Sequence, residues 1–290
     1  MTALLLFALL TCSAAAAVPP QSFDALFAAF DSSSLAGRRA IVTGASSGIG
    51  KATACALAAK GCDLVLISRR KDRLKEIKSE VALRCPAVSV EVVAGDVTDA
   101  ALYEEMERRR CIERCSILIN NAGLARGKDF VGGADRSAWK EMIDANCLGA
   151  FLMVDAVLPH MVEEGGGHII STGSIAGLEA YEGGSVYCAT KHALHAFMKA
   201  LRYETYSKGV RVTTVAPGFV GEGTEFSEVR FSGNLDLAAA TYQGMQELRA
   251  TDIASQILWA LEQPAHVNLD LIQIMPTAQG GATRIHRLPS

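Results

Sequence analysis

Short apolar runs rich in β-branched residues alternate with longer amphipathic stretches from about residue 39 to about residue 275 of this 290-residue chain. The short runs have the length and composition of strands, and the longer ones repeat with the period of a helix. Strands are predicted at residues 40–43, 63–68, 89–93, 117–120, 168–172, 210–215 and 271–275. Helices are predicted at residues 49–60, 70–83, 100–109, 139–163, 186–208 and 251–261.

This alternation predicts an α/β fold, a single Rossmann-type doubly wound domain with a seven-stranded parallel sheet flanked by helices. The strands are apolar almost throughout, which is typical of a sheet that is covered on both faces. Right-handed crossovers place the early strands in the order 3-2-1, and the later ones continue from strand 4. The domain is predicted to span residues 38–290, with an irregular loop-and-helix unit at 218–249 over the ligand site.

The first 20 residues differ in character from the rest of the chain. An apolar run at 3–10 is followed by small residues at 14–17 and by two prolines, an outline that resembles a secretory signal peptide. The segment carries no Lys or Arg, and its length is at the lower limit for a membrane span. Residues 1–20 are therefore predicted to be a signal or anchor segment, and 21–37 a linker.

Composition narrows the range of partners and compartments. The 28 basic and 31 acidic residues give a net charge of −3, which argues against a nucleic-acid partner because phosphate binding needs a basic face. The eight cysteines are scattered and form no paired CxxC motifs. They predict free thiols in a reducing compartment, and no metal site is predicted.

The first strand runs directly into a glycine-rich turn, residues 44–50, which opens the first helix. Glycines permit a tight turn and a close approach of the backbone to a pyrophosphate, which the N–H groups at the helix start then bind. A glycine pattern alone is weak evidence, but the strand before it and the helix after it supply the required context. The residues predicted to bind a dinucleotide here are Gly44, Ser46, Ser47, Gly48, Ile49 and Gly50.

The end of the second strand indicates which dinucleotide binds. In an NAD site an acidic residue at this point holds the ribose 2′-hydroxyl. Here the strand ends in Ser68-Arg69-Arg70 instead. Because a guanidinium pairs bidentately with a phosphate, Arg69 and Arg70 predict that the cofactor is NADP.

Three further polar signals follow in order along the chain: Asn-Asn-Ala-Gly at 120–123, Ser174, and Tyr187 with Lys191. Residues i and i+4 share a helix face, so Lys191 lies beside Tyr187. A lysine cation, together with the positive charge of an oxidised nicotinamide, favours the phenolate of a tyrosine. Tyr187 is then expected to exchange a proton with the substrate oxygen as hydride moves, while Ser174 donates a hydrogen bond to that oxygen.

In this order the motifs resemble those of the short-chain dehydrogenase/reductase family, over residues 38–280. The resemblance implies a fourth catalytic residue, Asn146, that links Lys191 to a water-mediated proton path, and it implies a homotetramer. It further implies that residues 96–97 flank the adenine, that residues 217–220 close over the nicotinamide, and that Lys191 holds its ribose. The cofactor contacts implied in this way are Asp96, Val97, Asn120, Ala122, Gly123, Tyr187, Lys191, Pro217, Gly218 and Val220.

The last third of the chain is similar to the branch of NADP-dependent 3-hydroxy acid dehydrogenases, at residues 224–231, 265–267 and 275–279. A branch of animal steroid reductases shares much of this pattern. A hydroxy acid requires a cation for its carboxylate, for which Arg230 is the first candidate and Arg126 the second. About two extra residues within 221–223 are expected to reshape the pocket.

The leading hypothesis is therefore an enzyme that acts on a short 3-hydroxy acid through Ser174, Tyr187 and Arg230. The alternative is a reductase of larger ketones such as steroids or quinones, which an apolar loop with three phenylalanines favours: Phe219, Phe226 and Phe231. A non-catalytic NADPH-binding sensor is a third hypothesis, and the complete catalytic set argues against it. A cytoplasmic location is predicted because a secretory route restricts the supply of NADPH, and membrane contact is expected only if residues 1–20 are retained.

Overall fold

The computed structural model describes residues 22–28 and 35–288, so that the predicted signal or anchor segment lies outside the described residues. The strands are β1 (Arg39–Thr43), β2 (Asp63–Ser68), β3 (Val90–Ala94), β4 (Ile117–Asn120), β5 (Gly167–Thr172), β6 (Val210–Pro217) and β7 (Leu271–Ile274). The α-helices are α1 (Phe23–Ala28), α2 (Gly48–Ala59), α3 (Lys71–Arg84), α4 (Ala100–Arg108), α5 (Arg136–Ile143), α6 (Gly149–Glu163), α7 (Ser185–Thr205), α8 (Phe226–Arg230), α9 (Leu235–Tyr242) and α10 (Ala250–Leu261).

The seven strands form one parallel sheet in the order β3-β2-β1-β4-β5-β6-β7, which confirms the predicted architecture and strand order. Side chains along a strand point alternately to opposite faces. Ala40 and Val42 of β1 accordingly join one core cluster, whereas Ile41 joins the other. Helices α2, α3 and α10 cover the first face, and α4, α6 and α7 cover the second. Burial on both faces explains why the strands are apolar.

The segment predicted to be a linker contains the short helix α1. Its Phe23 ring lies 4.0 Å from the Lys51 ammonium of α2, and its Asp24 forms an ion pair with Arg84 of α3 at 2.6 Å. Phe23 and Phe27 also pack against the first core cluster. This helix therefore extends the covering layer of the sheet, which the linker prediction did not anticipate.

The helix predicted at residues 139–163 is interrupted. A π-turn, Asp144–Leu148, joins α5 to α6, and such wide turns are frequent at functional sites. The run 136–163 is long and apolar enough to cross a membrane by length and composition alone. However, Met153, Val157 and Met161 are fully buried in the second core cluster, which marks α6 as a core helix of the domain.

The carboxyl ends of the parallel strands meet at one edge of the sheet, which is where ligands bind in folds of this kind. Two further elements cover that edge. The first is the unit of α8 and α9, inside the predicted substrate loop. The second is the segment after β7, residues 276–288, here called the tail segment, whose Leu288 N–H donates to the Gly244 carbonyl at 2.8 Å.

Candidate active site

A cavity of about 1200 Å³ opens along the carboxyl edge of the sheet, which is larger than the roughly 300–1,000 Å³ of an ordinary small-ligand pocket. Most of the predicted site residues line it, namely Gly44, Ser46, Ser47, Gly48, Ile49, Arg69, Arg70, Asp96, Val97, Ala122, Gly123, Ser174, Tyr187, Lys191, Pro217, Gly218, Val220 and Arg230. Three predicted residues are not part of the lining, namely Gly50, Asn120 and Asn146.

The glycine-rich turn has the geometry of a phosphate cradle. Gly44 and Gly48 adopt φ values of +63° and +57°, in the left-handed region that favours glycine. A Cβ at Gly50 would overlap the Gly44 carbonyl and lie 2.7 Å from the Asn121 amide nitrogen. Ser47 precedes α2 without a capping hydrogen bond from its side chain. The first N–H groups of α2 therefore remain available to bind a phosphate.

The two adjacent arginines occupy different surroundings. Arg70 lies across the turn, where its Nε donates to Ser46 Oγ at 3.0 Å and its Nη2 donates to Ser47 Oγ at 2.6 Å. Arg69 is 65% exposed and forms a 3.6 Å ion pair with Asp96. Of the two residues predicted to recognise a 2′-phosphate, Arg70 is the one that the structure places at the phosphate turn.

The two adjacent asparagines also face in different directions. Asn120, predicted to contact the cofactor, is 4% exposed and donates to the Ala150 carbonyl at 2.8 Å, behind the cavity. Asn121 lines the cavity and donates from its amide to the Thr43 carbonyl at 3.1 Å. Successive side chains leave a strand end on opposite sides, so the prediction selected the wrong residue of the pair.

Asn146 lies in the π-turn and is 1% exposed. Its amide oxygen accepts from the Leu124 N–H at 2.8 Å, and its amide nitrogen donates to the Leu124 carbonyl at 2.8 Å and to Thr190 Oγ1 at 3.1 Å. Both amide N–H donors are thus in use. The side chain fastens the loop after β4 to α7, and its predicted water-mediated link to Lys191 stays a prediction.

Lys191 and Tyr187 lie one turn apart on α7, as the spacing predicted, with the ammonium nitrogen 5.9 Å from the centre of the tyrosine ring. Lys191 is 6% exposed and donates to the Thr172 carbonyl at 2.8 Å. Burial lowers the pKa of this ammonium to about 8. An ammonium with so few partners inside a cavity is suited to bind hydroxyl groups of a ligand.

Burial also raises the pKa of the Tyr187 phenol above its ordinary value, although a hydrogen bond with Ser174 and the charge of Arg230 act in the opposite direction. From the sequence, Lys191 and an oxidised nicotinamide are expected to favour the phenolate. In the free protein the desolvation of the buried ring dominates instead. The phenol is therefore protonated and able to donate to a carbonyl oxygen.

His195 contacts the backbone of Ser174, the predicted catalytic serine, and was not itself predicted. The Ser174 N–H donates to His195 Nε2 at 3.4 Å. A Cβ at Gly177 would lie 2.7 Å from that nitrogen, and one at Gly173 would lie 2.9 Å from Cδ2. Burial, followed by the charge of Lys191, lowers the pKa of His195 to about 4. The neutral ring is thus enclosed by the serine loop and accepts its N–H.

Arg230, the first candidate for a substrate carboxylate, is 9% exposed at the end of α8. Its Nε donates to the Gly127 carbonyl at 3.0 Å, and its Nη2 donates to the Tyr181 hydroxyl at 3.1 Å. Its guanidinium carbon lies 5.7 Å from the centre of the Tyr187 ring. Both hydrogen-bond partners are neutral oxygens, so the buried charge lacks an anionic partner within the described residues.

Arg126, the second candidate, has a different role. It forms an ion pair with Glu141 at 2.8 Å and donates to the Val229 carbonyl at 2.6 Å. It is not part of the cavity lining. Arg126 therefore holds α8 against α5, and the structure does not bring it to the substrate.

The extra residues within 221–223 lie outside the cavity lining. The Gly221 N–H donates to the Leu248 carbonyl at 3.0 Å, and Glu222 forms an ion pair with Arg249 at 2.8 Å. The Glu222 carbonyl also accepts from the Ala250 N–H at 3.0 Å. This turn fastens the substrate loop to the start of α10, and the expected reshaping of the pocket stays a prediction.

The substrate end of the cavity combines aromatic and cationic side chains. The three phenylalanines of the loop line it, and the Phe226 ring lies 5.8 Å from the Tyr187 ring. Lys128 and Arg287 line it as well. Desolvation and the charges of Arg230 and Arg287 lower the pKa of Lys128. Three basic side chains thus line this end of the cavity, together with the carboxylate of Asp129.

Cysteines and metal-binding groups add no further chemistry to the site. Seven cysteines are free thiols, and Cys12 lies outside the described residues. Cys147 and Cys188, which adjoin the site, are buried and packed within the fold. Within residues 22–28 and 35–288, no three or more His, Cys, Asp or Glu side chains converge to hold a metal ion.

Comparison with known proteins places these features in a family. The profile of the family described as short chain dehydrogenase matches residues 38–233. The chain is 40% identical over 250 residues to the NADP-dependent 3-hydroxy acid dehydrogenase YdfG of Escherichia coli strain K12, covering 85% of this chain and 98% of that protein. It is 44% identical over 247 residues to an uncharacterized oxidoreductase of Mycobacterium tuberculosis strain H37Rv, covering 85% and 94%.

Solved structures agree with these matches. The closed form of a serine dehydrogenase complexed with NADP⁺ superposes with a TM-score of 0.78 at 38% identity, covering 86% of this chain and all of that one. A short-chain dehydrogenase from Sphingobium yanoikuyae in complex with NADPH has a TM-score of 0.68 at 27% identity, covering 81% and 87%. These relatives share the sheet whose edge carries the cavity.

Proposed function

Because the chain belongs to the short-chain dehydrogenase/reductase family, we propose that it is an NADP(H)-dependent oxidoreductase acting on a short 3-hydroxy acid or the corresponding 3-keto acid. We infer the substrate class from the surroundings of Arg230. Its buried guanidinium lies beside Tyr187, and its hydrogen bonds are to neutral oxygens. A buried cation of this kind is costly unless an anion pairs with it. The carboxylate of a hydroxy acid is the anion that we assign to it.

The residues present fit an NADP cofactor. The glycine turn offers the start of α2 to a pyrophosphate, and Arg70 reaches across that turn toward the place of a 2′-phosphate. Lys191 presents its ammonium to the hydroxyl groups of a ribose. When bound, the nicotinamide supplies a hydride to a carbonyl or accepts one from an alcohol.

Tyr187 and Ser174 perform the proton chemistry on the substrate oxygen. The protonated phenol of Tyr187 donates its proton to the carbonyl oxygen as that oxygen gains negative charge. Ser174 hydrogen-bonds the same oxygen, and His195 fixes the serine through its N–H at 3.4 Å. In the reverse direction Tyr187 removes the proton of the alcohol, and the nearby cations of Lys191 and Arg230 stabilise the phenolate.

Arg230 has the capacity to position an acid. A guanidinium carries five N–H donors, and two of those of Arg230 are used by Gly127 and Tyr181. The remaining donors allow a bidentate pair with a carboxylate. In a 3-hydroxy acid only two carbon–carbon bonds separate the carboxylate from the reacting carbon, which suits an anchor adjacent to Tyr187.

The test is turnover with defined substrates. Purified protein is assayed for NADP⁺ reduction with L-serine, L-allo-threonine and 3-hydroxyisobutyrate, with the methyl ester of the last as a neutral control. Arg230→Met is expected to lower kcat/KM for the acids about 30- to 160-fold, the equivalent of about 2–3 kcal/mol for a charged hydrogen-bonded pair. The ester is expected to lose much less, because for the ester only the stabilisation of the Tyr187 phenolate by Arg230 is removed. Tyr187→Phe is expected to abolish turnover of both. An unchanged KM for the acids in Arg230→Met would contradict the assignment.

A second candidate substrate class is favoured by the aromatic loop. Phe219, Phe226 and Phe231 all line the cavity, which would accommodate a larger apolar ketone such as a steroid or quinone. Such a ketone has no anion for Arg230, so we rank it second. NADPH oxidation with a panel of these ketones, and no reaction with the hydroxy acids, would reverse the order.

We also propose that the protein acts as a homotetramer in the cytoplasm. Exposed apolar side chains on α5, α7 and the π-turn support self-association: Ile143, Leu148, Tyr203 and Tyr206. The free thiols of the described cysteines support a reducing compartment. Light scattering on the purified protein tests the assembly. Imaging of a fusion that carries residues 1–20, compared with one that lacks them, tests the location.

A further inference from the structure

The carboxylate of Glu225 is held between two arginines at the phosphate turn. Its Oε2 lies 2.6 Å from Arg70 Nη1, and its Oε1 accepts from Arg73 Nη1. The same Arg70 guanidinium donates to Ser46 and Ser47 of the turn. An acidic side chain from the substrate loop therefore occupies an anion site at the cofactor end of the cavity.

This anion site has the donors that a phosphate requires. Arg73 is three residues after Arg70, so both guanidinium groups project from the same face at the start of α3. Two guanidinium groups directed at one point match the charge and the hydrogen-bond geometry of a phosphate dianion. Within the described ranges, the ion pairs of Arg70 and Arg73 are those with Glu225.

Glu225 is ionised in this position. Burial opposes its ionisation, but the hydrogen bonds from Arg70 and Arg73 lower the pKa of its carboxyl below the ordinary value. A 2′-phosphate brought to these arginines meets a carboxylate of the same sign. A neutral 2′-hydroxyl meets no such repulsion and is able to donate to the carboxylate, as it does to the acidic residue of an NAD site.

Glu225 is also connected to the substrate end of the cavity through helix α8. It directly precedes α8, which begins with Phe226 and ends with Arg230. Before it, the Thr224 side chain covers Gly48 of the turn, 3.6 Å from the position that a Cβ would occupy there. The Glu225 contacts therefore hold the start of the helix that places Phe226 and Arg230 beside Tyr187.

We propose that Glu225 competes with the cofactor 2′-phosphate for Arg70 and Arg73, so that NADP(H) binding displaces Glu225 and releases the start of α8, whereas NAD(H) binding does not. This inference rests on the proposed NADP(H) dependence. It assigns Arg73 to 2′-phosphate recognition beside Arg70. It makes Glu225 a determinant of cofactor selectivity that links the cofactor to the substrate helix.

The first experiment measures dissociation constants of NADPH and NADH by fluorescence titration of the full-length protein. Glu225→Gln is expected to lower the dissociation constant of NADPH about five- to tenfold. The effect is expected to be smaller than that of a fully desolvated charge pair, because these side chains are partly exposed. NADH is expected to stay equal or to weaken. Arg73→Met is expected to weaken NADPH about tenfold without an effect on NADH. The double variant is expected to lose most of the gain from Glu225→Gln.

The matched control is Glu222→Gln, which removes the same charge three residues away, where Glu222 pairs with Arg249 outside the cavity. It is expected to leave both dissociation constants within twofold. Weaker or unchanged NADPH binding in Glu225→Gln would refute the competition, since Glu225 would then position the arginines or have no effect on them. Equal effects of Arg73→Met on NADPH and NADH would refute its assignment to the phosphate.

The link to α8 is tested with 2′-AMP, which carries the phosphate but does not extend to the substrate end. Hydrogen exchange of residues 225–230 is expected to rise when wild-type protein binds 2′-AMP. In Glu225→Gln the exchange is expected to be high already and to change little. No rise in the wild type would refute the link. If the wild-type protein does not prefer NADPH over NADH, the proposed cofactor itself is refuted. That result differs from a failure of the competition or of the link to α8, both of which are judged in a protein that does prefer NADPH.

Discussion

The buried ammonium of Lys191 is expected to destabilise the free protein. It is 6% exposed and donates to one carbonyl, that of Thr172. Burial lowers its pKa from 10.5 to about 8. Since the unfolded chain holds this proton more tightly than the folded one, the charged lysine opposes folding at neutral pH.

The magnitude follows from the pKa. A fall from 10.5 to about 8 corresponds to about 3 kcal/mol of unfolding free energy, at about 1.36 kcal/mol per pH unit. This penalty is complete below pH 8, declines as the pH rises from 8 to 10.5, and is absent above that window. Lys191→Met removes the charge and forfeits the hydrogen bond from the charged ammonium to Thr172, a loss of about 2 kcal/mol. The variant is therefore expected to be about 1 kcal/mol more stable at pH 7, although it loses turnover.

Urea unfolding of the cofactor-free protein at pH 7 and pH 10.5 measures the stability difference between Lys191→Met and wild type and its dependence on pH. The advantage of Lys191→Met is expected to disappear at pH 10.5, because the wild-type lysine is then neutral in the folded state and only half protonated in the unfolded state, which leaves less than about 0.5 kcal/mol of the penalty. Lys199→Met is the control, since Lys199 lies on the same helix but is half-exposed and pairs with Asp270. A variant less stable than wild type at pH 7, or an advantage that does not depend on pH, would refute the reasoning.

Two further predictions concern the framework of the site. His195→Leu is expected to lower kcat about tenfold, because it removes one hydrogen bond that positions Ser174, and to leave NADPH affinity unchanged. His195→Gln is expected to recover part of the lost kcat. Steady-state kinetics and fluorescence titration measure these effects, and an equal loss of kcat in both variants would contradict a positioning role. Gly50→Ala is expected to cost at least about 2 kcal/mol by overpacking against the Gly44 carbonyl and to weaken NADPH binding, measured by thermal unfolding with and without cofactor. Gly133→Ala serves as the comparison and retains NADPH binding, because an added Cβ there would have only the Phe130 carbonyl within 4 Å, at 3.9 Å.

Apolar patterning was sufficient for the sheet, because strands buried on both faces are apolar almost throughout and a helix follows each of the first six. β2 and β4 match their predicted bounds, and β3 is displaced by one residue. The helix at 139–163 was predicted without a break because a π-turn leaves no mark on the apolar pattern. Helix α1 was not predicted, because its six residues are too few to show a helical period. Both α8 and α9 lie in a segment whose irregular composition predicted only a loop-and-helix unit.

Site residues were predictable where a sequence motif fixes their positions. They were not predictable where tertiary contacts determine which side chain faces the cavity. Tyr187, Lys191 and Ser174 follow from spacing and order. The choice of Asn120 over Asn121 failed because the end of β4 sets which side chain faces the cavity. His195 and Glu225 were missed because their partners are 21 and 155 residues away in the chain. Even so, the i+4 spacing of His195 from Lys191 was a signal available in the sequence.

The tail segment has a consequence for how changes in the coding sequence act on this protein. Its Gln279 accepts from the Phe219 N–H at 2.8 Å, and its Ala282 N–H donates to Glu179 at 2.8 Å, so these late residues close one wall of the substrate chamber. A premature stop codon after β7 would spare every strand and the whole phosphate turn. The shortened polypeptide would retain the phosphate end of the cofactor site, while residues 217–220 would lose the side chain that holds Phe219 and the substrate end of the cavity would open to water. The product of such an allele would still bind 2′-AMP, and turnover would reveal the defect.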